Sequence, residues 1–371
     1  MAKGKMVLRC TQTGTTYDAH EPRWCGENGT LLDLLFSPHL EVAALTSRKP
    51  NLWRYRECLP IERDDCIVSF AEGFTPLLAV QINRRRIWIK QEHLFQTGSF
   101  KDRGATVLIS KVRELGIDRV VQDSSGNAGC SIAAYCAAAG IGCTILVPQS
   151  TAPAKVAQIR AYGADVRLIP GDRQATAAAA LEMAATSYYA SHCWNPFFLH
   201  GTKTFAYEVW EQLGFQPPDV LVLPVGNGTL VLGAFIGFTD LLNQGLIDRL
   251  PQIVAVQALN CSPLFHAFTT LQQRPAAVTV AGTIAEGIAI AAPIRGGQIL
   301  SAVRATHGRM LAVTEEEIWQ AQHAMAHQGF YIEPTAAAGI AGAMQLSEEI
   351  EEGKILVTAF TGHGLKHGFN H

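Results

Sequence analysis

From Val120 to the alanine-rich run that opens at Arg173, short β-rich stretches alternate with helical patterns, and this alternation constrains the fold more than any other feature. Residues 120–122 read as a strand, 130–140 as a small-residue helix and 142–148 as a buried strand. Residues 155–163 read as a helix and 165–169 as a strand, before the helix from Arg173. A βαβα order implies parallel neighbours and right-handed crossovers, hence a doubly wound α/β sheet. Further strands are expected at 86–92, 219–224, 253–257 and 355–360. Residues 314–328 read as an amphipathic helix opened by Thr-Glu-Glu-Glu, a capping signal. Residues 51–67 are expected to form a helix plus linker.

A chain of 371 residues can bury a large core shared by two domains. Hydrophobic residues make up 48% and charged residues 17%, and the net charge is −2, which gives no electrostatic reason to expect nucleic acid or an acidic membrane. No run of about 18 apolar residues suggests a membrane span. The opening Met-Ala-Lys-Gly-Lys-Met-Val-Leu-Arg lacks an apolar signal core. Nine scattered cysteines, an odd number, suit a reducing compartment, so a cytoplasmic location is expected.

The chemistry is concentrated at Thr97-Gly-Ser-Phe-Lys-Asp-Arg-Gly104. A Gly-Ser turn followed by an apolar helical stretch places Lys101 at or near a helix N-terminus. The helix dipole and free N–H groups there disfavour an ammonium, so a partly buried lysine becomes a usable amine near neutral pH. Farther on, Asp123-Ser-Ser-Gly-Asn-Ala-Gly129 lies where a strand gives way to a helix, and such exposed N–H groups can hold a carboxylate. Pro224-Val-Gly-Asn-Gly-Thr-Leu230 follows another strand, and its glycines allow the backbone to wrap an anion. It lacks the glycine spacing and downstream acid of a dinucleotide fold.

Together these stretches resemble the Schiff-base lysine motif and companion elements of fold-type-II pyridoxal-phosphate enzymes, threonine synthase in particular. Glu72-Gly-Phe-Thr-Pro-Leu77, Thr283-Ile-Ala-Glu-Gly-Ile288, Glu333-Pro-Thr-Ala-Ala-Ala-Gly339 and Thr361-Gly-His-Gly-Leu-Lys366 extend the likeness over nearly the whole chain. The resemblance implies two doubly wound, mostly parallel open sheets with the cofactor cleft between them. It implies pyridoxal 5'-phosphate linked to Lys101, with Phe100 beside it and Asn127 at the cofactor's 3-oxygen. Gly226, Asn227, Gly228 and Thr229 would form the phosphate cup, and Thr361 would face the pyridine nitrogen. Ser124, Ser125 and Gly126 would hold the substrate carboxylate, with Lys203 and Glu286 as further substrate contacts. The 333–339 turn and helix is read as structural support beneath the site. Expected domains are an N-terminal segment 1–50, a large cofactor domain of 51–104 with 200–371, and a small substrate-side domain of 105–199. A small amino-acid substrate and a homodimer complete the expectation.

The implied reaction is formation of threonine from O-phosphohomoserine by elimination and water addition, with Lys101 moving protons. One stretch departs from the family. Cys193-Trp-Asn-Pro-Phe-Phe-Leu-His-Gly-Thr-Lys-Thr204 resembles the segment N-P-x-R-L-E-G-Q-K-T, whose arginine grips phosphate. Phe198 takes the arginine's place and His200 the glutamate's, and phenylalanine cannot supply a charge-assisted fork. The alternatives are a serine/threonine or diaminopropionate ammonia-lyase, a cysteate-synthase-like enzyme, or a non-catalytic relative that binds the cofactor.

Near the N-terminus, Cys10 and Cys25 outline a zinc ribbon in which Thr13 and Asn28 replace the second and fourth thiols. Two thiolates cannot close a tetrahedral site, and the spacing of His20 and His39 supplies no recognised completion. A metal-free relic is expected.

Overall fold

The computed structural model describes residues 6–82, 85–151, 153–171 and 173–366. The chain divides into two compact units: the segment up to Gly73 with Lys101–Thr202, and Phe74–Phe100 with the chain from Lys203 onward. Residues 51–73, expected beside 74–100, group instead with 101–202.

In the first unit a parallel four-stranded sheet runs in the order Asp165–Ile169, Gly142–Pro148, Arg119–Gln122, Tyr188–Tyr189. Residues 144–147 are buried without interruption, as expected for a strand covered on both faces. Helices Asn127–Ala139, Pro153–Ala161 and Arg173–Met183 alternate with the strands, close to their expected places. Helix Lys101–Glu114 crosses the short helix Pro196–Thr202 closely. Glycine permits the crossing: a Cβ at Gly104 would collide with the Phe198 ring, and one at Gly201 with the Arg103 carbonyl.

The N-terminal segment of this unit is a three-stranded antiparallel sheet, with Val7–Cys10 between Thr16–Asp18 and Leu32–Leu35. Cys10 Sγ lies 3.1 Å from Thr30 Oγ1 and accepts the Thr13 N–H at 3.4 Å. Hydrogen bonds, first from the Thr13 side chain and then from Thr30, pull the Cys10 thiol down to about 6. His20 bonds Asp18 at 2.8 Å and Glu62 at 3.2 Å. Among the described residues no group of three or more His, Cys, Asp or Glu could hold a metal ion. The helix-plus-linker expected at 51–67 is two 3-10 helices, Leu52–Cys58 and Asp64–Cys66.

The second unit carries a six-stranded sheet in the order Arg309–Val313, Gln252–Ala258, Val220–Pro224, Leu356–Ala359, Arg85–Lys90, Leu77–Ile82. All pairs are parallel except the edge hairpin of Leu77–Ile82 with Arg85–Lys90. The valines of the central strands, Val222, Val254 and Val256, pack with Ile340 of helix Pro334–Ser347 in one buried cluster. The helix lies tight on the sheet because a Cβ at Gly342 would stand 2.5 Å from Val256 Cγ2. Thr314 caps helix Glu315–Ala326 through a reciprocal box with Glu317, as its sequence predicts. Among the described residues no helix is long and apolar enough to cross a membrane.

Candidate active site

In the first unit Lys101 is the first residue of its helix and is half-buried. The adjacent Asp102 is fully buried and accepts the Ser131 hydroxyl at 2.6 Å, which ties the start of this helix to helix Asn127–Ala139. The turn before that second helix is built for close approach. Gly126 N–H donates to Ser124 Oγ at 3.3 Å, and a Cβ at Gly129 would collide with the Ser124 carbonyl. Gly126, the N-cap, offers no side chain to the first-turn N–H groups, and Ser125 and Asn127 are half-buried.

Lys101 Nζ sits 5.9 Å from the centroid of the Phe198 ring. Phe198 is completely buried, and His192 packs 6.0 Å from it. Burial above all, helped by the charges of Lys101 and Arg173, pushes the His192 imidazole well below its ordinary range, so it is neutral at pH 7. Phe198 and His192 thus add no charge beside the lysine. His192 was not singled out from the sequence, since an isolated Ser-His-Cys carries no recognisable signal.

In the second unit two distant motifs are stitched together by main-chain bonds. Phe100 N–H donates to Thr361 O at 3.1 Å, Ser99 bridges Gly362, and His363 N–H donates to Gly98 O at 2.9 Å. Lys366 Nζ adds a bond to Thr97 O at 2.8 Å. Gly98 adopts a left-handed φ of 81°, which the turn requires. Ser99 Oγ is buried with no hydrogen-bond partner among the described residues. Thr361 is 1% exposed, and its hydroxyl donates to Glu333 Oε1 at 3.3 Å.

The glycine turn of this unit joins strand Val220–Pro224 to helix Thr229–Asn243. Gly228 has φ 77°, and a Cβ there would collide with Ile299. Gly226 meets the backbone of Ile288, where a Cβ would lie 2.9 Å from its Cα. This contact sets the short helix Glu286–Ile288 against the turn, with Glu286 exposed. Asn227 is half-buried and Thr229 is buried.

Lys203, expected as a substrate contact, makes an internal ion pair. Its ammonium is wholly buried and ion-paired with Asp240 Oδ2 at 2.8 Å, and the Tyr207 hydroxyl shares that oxygen at 2.6 Å. A cation neutralised in this way holds helices together and is a poor anion receptor.

The family described as "Pyridoxal-phosphate dependent enzyme" matches residues 68–362. A threonine synthase of Methanocaldococcus jannaschii is 36% identical, covering 97% of this chain and 93% of the relative. A threonine synthase of Methanosarcina acetivorans is 35% identical over 97% and 92%. Among solved structures, a processed threonine deaminase isoform of Solanum lycopersicum aligns with a TM-score of 0.68 and 23% identity, covering 78% of this chain and 79% of that one. A serine racemase of Dictyostelium discoideum aligns with a TM-score of 0.67 and 24% identity over 78% and 92%. At these identities the structures speak to the fold alone.

Proposed function

The chain belongs to the pyridoxal-phosphate-dependent enzymes, and from that membership we propose that it is a threonine synthase acting on O-phosphohomoserine. The observation that carries the reading is the likeness to curated threonine synthases over 97% of the chain.

The residues fit the cofactor. A left-handed glycine turn leads into a 15-residue helix whose N-cap has no side chain, which suits a phosphate. A buried Ser99 hydroxyl with no partner among the described residues stands two positions before the lysine. On this reading Lys101 holds the cofactor covalently, Phe100 lies beside it, and Gly226, Asn227, Gly228 and Thr229 hold its phosphate. Asn127 meets its 3-oxygen and Thr361 its ring nitrogen. When bound, pyridoxal phosphate supplies an electron sink for a carbanion at the substrate α-carbon.

The chain supplies the rest. Ser124, Ser125 and Gly126 orient the substrate carboxylate on the N–H groups at the start of helix Asn127–Ala139. Lys101 would take the α-proton and return protons to the carbon chain as phosphate departs and water adds. Positioned proton transfer of this kind contributes about 10²–10⁴-fold. Phe198 lies 5.9 Å from the lysine ammonium, and the neutral His192 avoids a second cation there. Glu286 borders the site at its rim.

A second reading is favoured by one observation: the buried Phe198 and the ion-paired Lys203 leave the phosphate of the substrate without its expected grips. That reading is an eliminating ammonia-lyase of the same family. Purified holoenzyme given O-phosphohomoserine is expected to release phosphate and form threonine. Ammonia released from threonine or serine, with no phosphate from phosphohomoserine, would select the second reading. We further take the enzyme to be a cytoplasmic homodimer, which sedimentation would check for the oligomer and cell fractionation for the compartment.

A further inference from the structure

Helix Glu315–Ala326 turns Ile318, Ala321 and Met325 into the core of its unit. The opposite stripe carries Trp319, His323 and His327 in four-residue steps, a spacing that aligns side chains along one helix face. Trp319 is 47% exposed, His323 is half-buried and His327 is exposed. Their rings form a ladder: the Trp319 and His323 centroids lie 4.2 Å apart, and those of His323 and His327 lie 5.6 Å apart at 83°. His327 is the C-cap, yet its backbone stays right-handed helical and its N–H donates to His323 O at 3.0 Å. The four-residue register therefore holds to the end of the helix. Among the described residues no hydrogen bond or ion pair engages either imidazole.

We propose that His323 and His327 are a chelating pair for a divalent transition-metal ion of the Cu²⁺, Ni²⁺ and Zn²⁺ class. Two histidines four residues apart on a helix reach one metal ion from the same face. With metal–nitrogen bonds of about 2.0–2.1 Å, two imidazole nitrogens on a tetrahedral ion stand roughly 3.3 Å apart. Rings centred 5.6 Å apart reach that separation by side-chain rotation, with the backbone unmoved. The pair also sits at the negative end of the helix dipole, which favours a cation. It supplies two ligands, and water fills the remaining positions. Imidazole donors select against Mg²⁺ and Ca²⁺, which take oxygen ligands. An ion spanning the pair clamps the last turn of a helix whose Gln322 donates to Ile332 O at 2.8 Å, and so stabilises the folded chain.

The test is calorimetric titration of purified holoenzyme with CuCl₂, NiCl₂, ZnCl₂ and MgCl₂ at about pH 8, since metals take neutral imidazole. Wild type is expected to bind one Cu²⁺ that His323→Ala and His327→Ala each lose. Thiols elsewhere are the same in all three proteins, so the difference between them is the reading. Affinity should be highest for Cu²⁺, lower for Ni²⁺ and Zn²⁺, and absent for Mg²⁺. Zn²⁺ should raise the melting temperature of wild type more than that of either variant. Bound Cu²⁺ should also quench Trp319, so Trp319→Phe keeps the binding and loses that part of the quenching. Alanine is a good helix former, and circular dichroism checks that the helix persists in the variants. Equal binding by wild type and both variants overturns the proposal. A loss confined to one variant overturns it too, because a chelate needs both rings.

Discussion

The Phe100 N–H donates to the Thr361 carbonyl at 3.1 Å, joining residues 261 apart in the sequence. This bond fixes the residue that precedes Lys101 against the C-terminal Thr-Gly-His-Gly-Leu-Lys motif. Backbone anchoring leaves the lysine side chain free to be the moving part, which a group that alternates between holding a cofactor and carrying a proton requires. Lys101→Ala is expected to lose at least about 10²–10⁴-fold in kcat, the contribution of positioned proton transfer. The helix it opens should persist, because alanine is a good helix former. Circular dichroism and thermal melting alongside the assay check both halves.

The glycine turn supports a second expectation. Gly228→Ala places a Cβ at φ 77° and against Ile299. Left-handed strain of about 1 kcal/mol and overpacking of about 1–3 kcal/mol both act there. Cofactor retention should fall more than the melting temperature of the cofactor-free protein, since the turn is the proposed phosphate cup. Equilibrium dialysis with pyridoxal phosphate measures the first and thermal denaturation the second. An equal loss in both would place the effect in the fold.

Much of this was legible in the sequence where burial repeats in a regular way. Strand Gly142–Pro148 stands where an apolar run places it, Asp165–Ile169 where the helix–strand alternation expects a strand, and Lys101 begins its helix as the Gly-Ser turn implies. Residues 51–67 were less legible because short 3-10 helices lack the 3.6-residue period that betrays an α-helix. No sequence pattern says which way the buried Glu333 carboxyl group turns. The Lys203–Asp240 pair is equally hidden from a motif match, because its members lie 37 residues apart.

Lys203 gives the third expectation. Lys203→Met leaves Asp240, only 14% exposed, without its cation. Removing one member of a buried pair typically costs about 3–5 kcal/mol. Denaturant unfolding should show that loss, with KM for the amino-acid substrate unchanged in protein that remains folded. The double variant Lys203→Met with Asp240→Leu should recover much of the stability. A rise in KM without a stability loss would return Lys203 to the substrate.

The fourth expectation concerns acid. His93 is 6% exposed, packs 5.4 Å from the His363 ring and 5.4 Å from Phe360, and its Nδ1 has no hydrogen-bond partner among the described residues. Burial first, and the charge of His363 second, lower its pKa from the ordinary 6.5 to about 4. The unfolded chain therefore binds a proton that the folded chain refuses, so stability is full above about 6.5 and falls as pH drops toward 4. His93 lies on the segment that leads to Lys101, and His363 bonds Gly98, so the loss should appear as release of cofactor together with unfolding. His93→Leu removes the titrating group and an unsatisfied buried nitrogen, and should flatten the acid limb of the melting-temperature profile between pH 6.5 and 4. Melting curves of wild type and variant across that range measure it. An unchanged acid limb in His93→Leu would assign the lability to other groups.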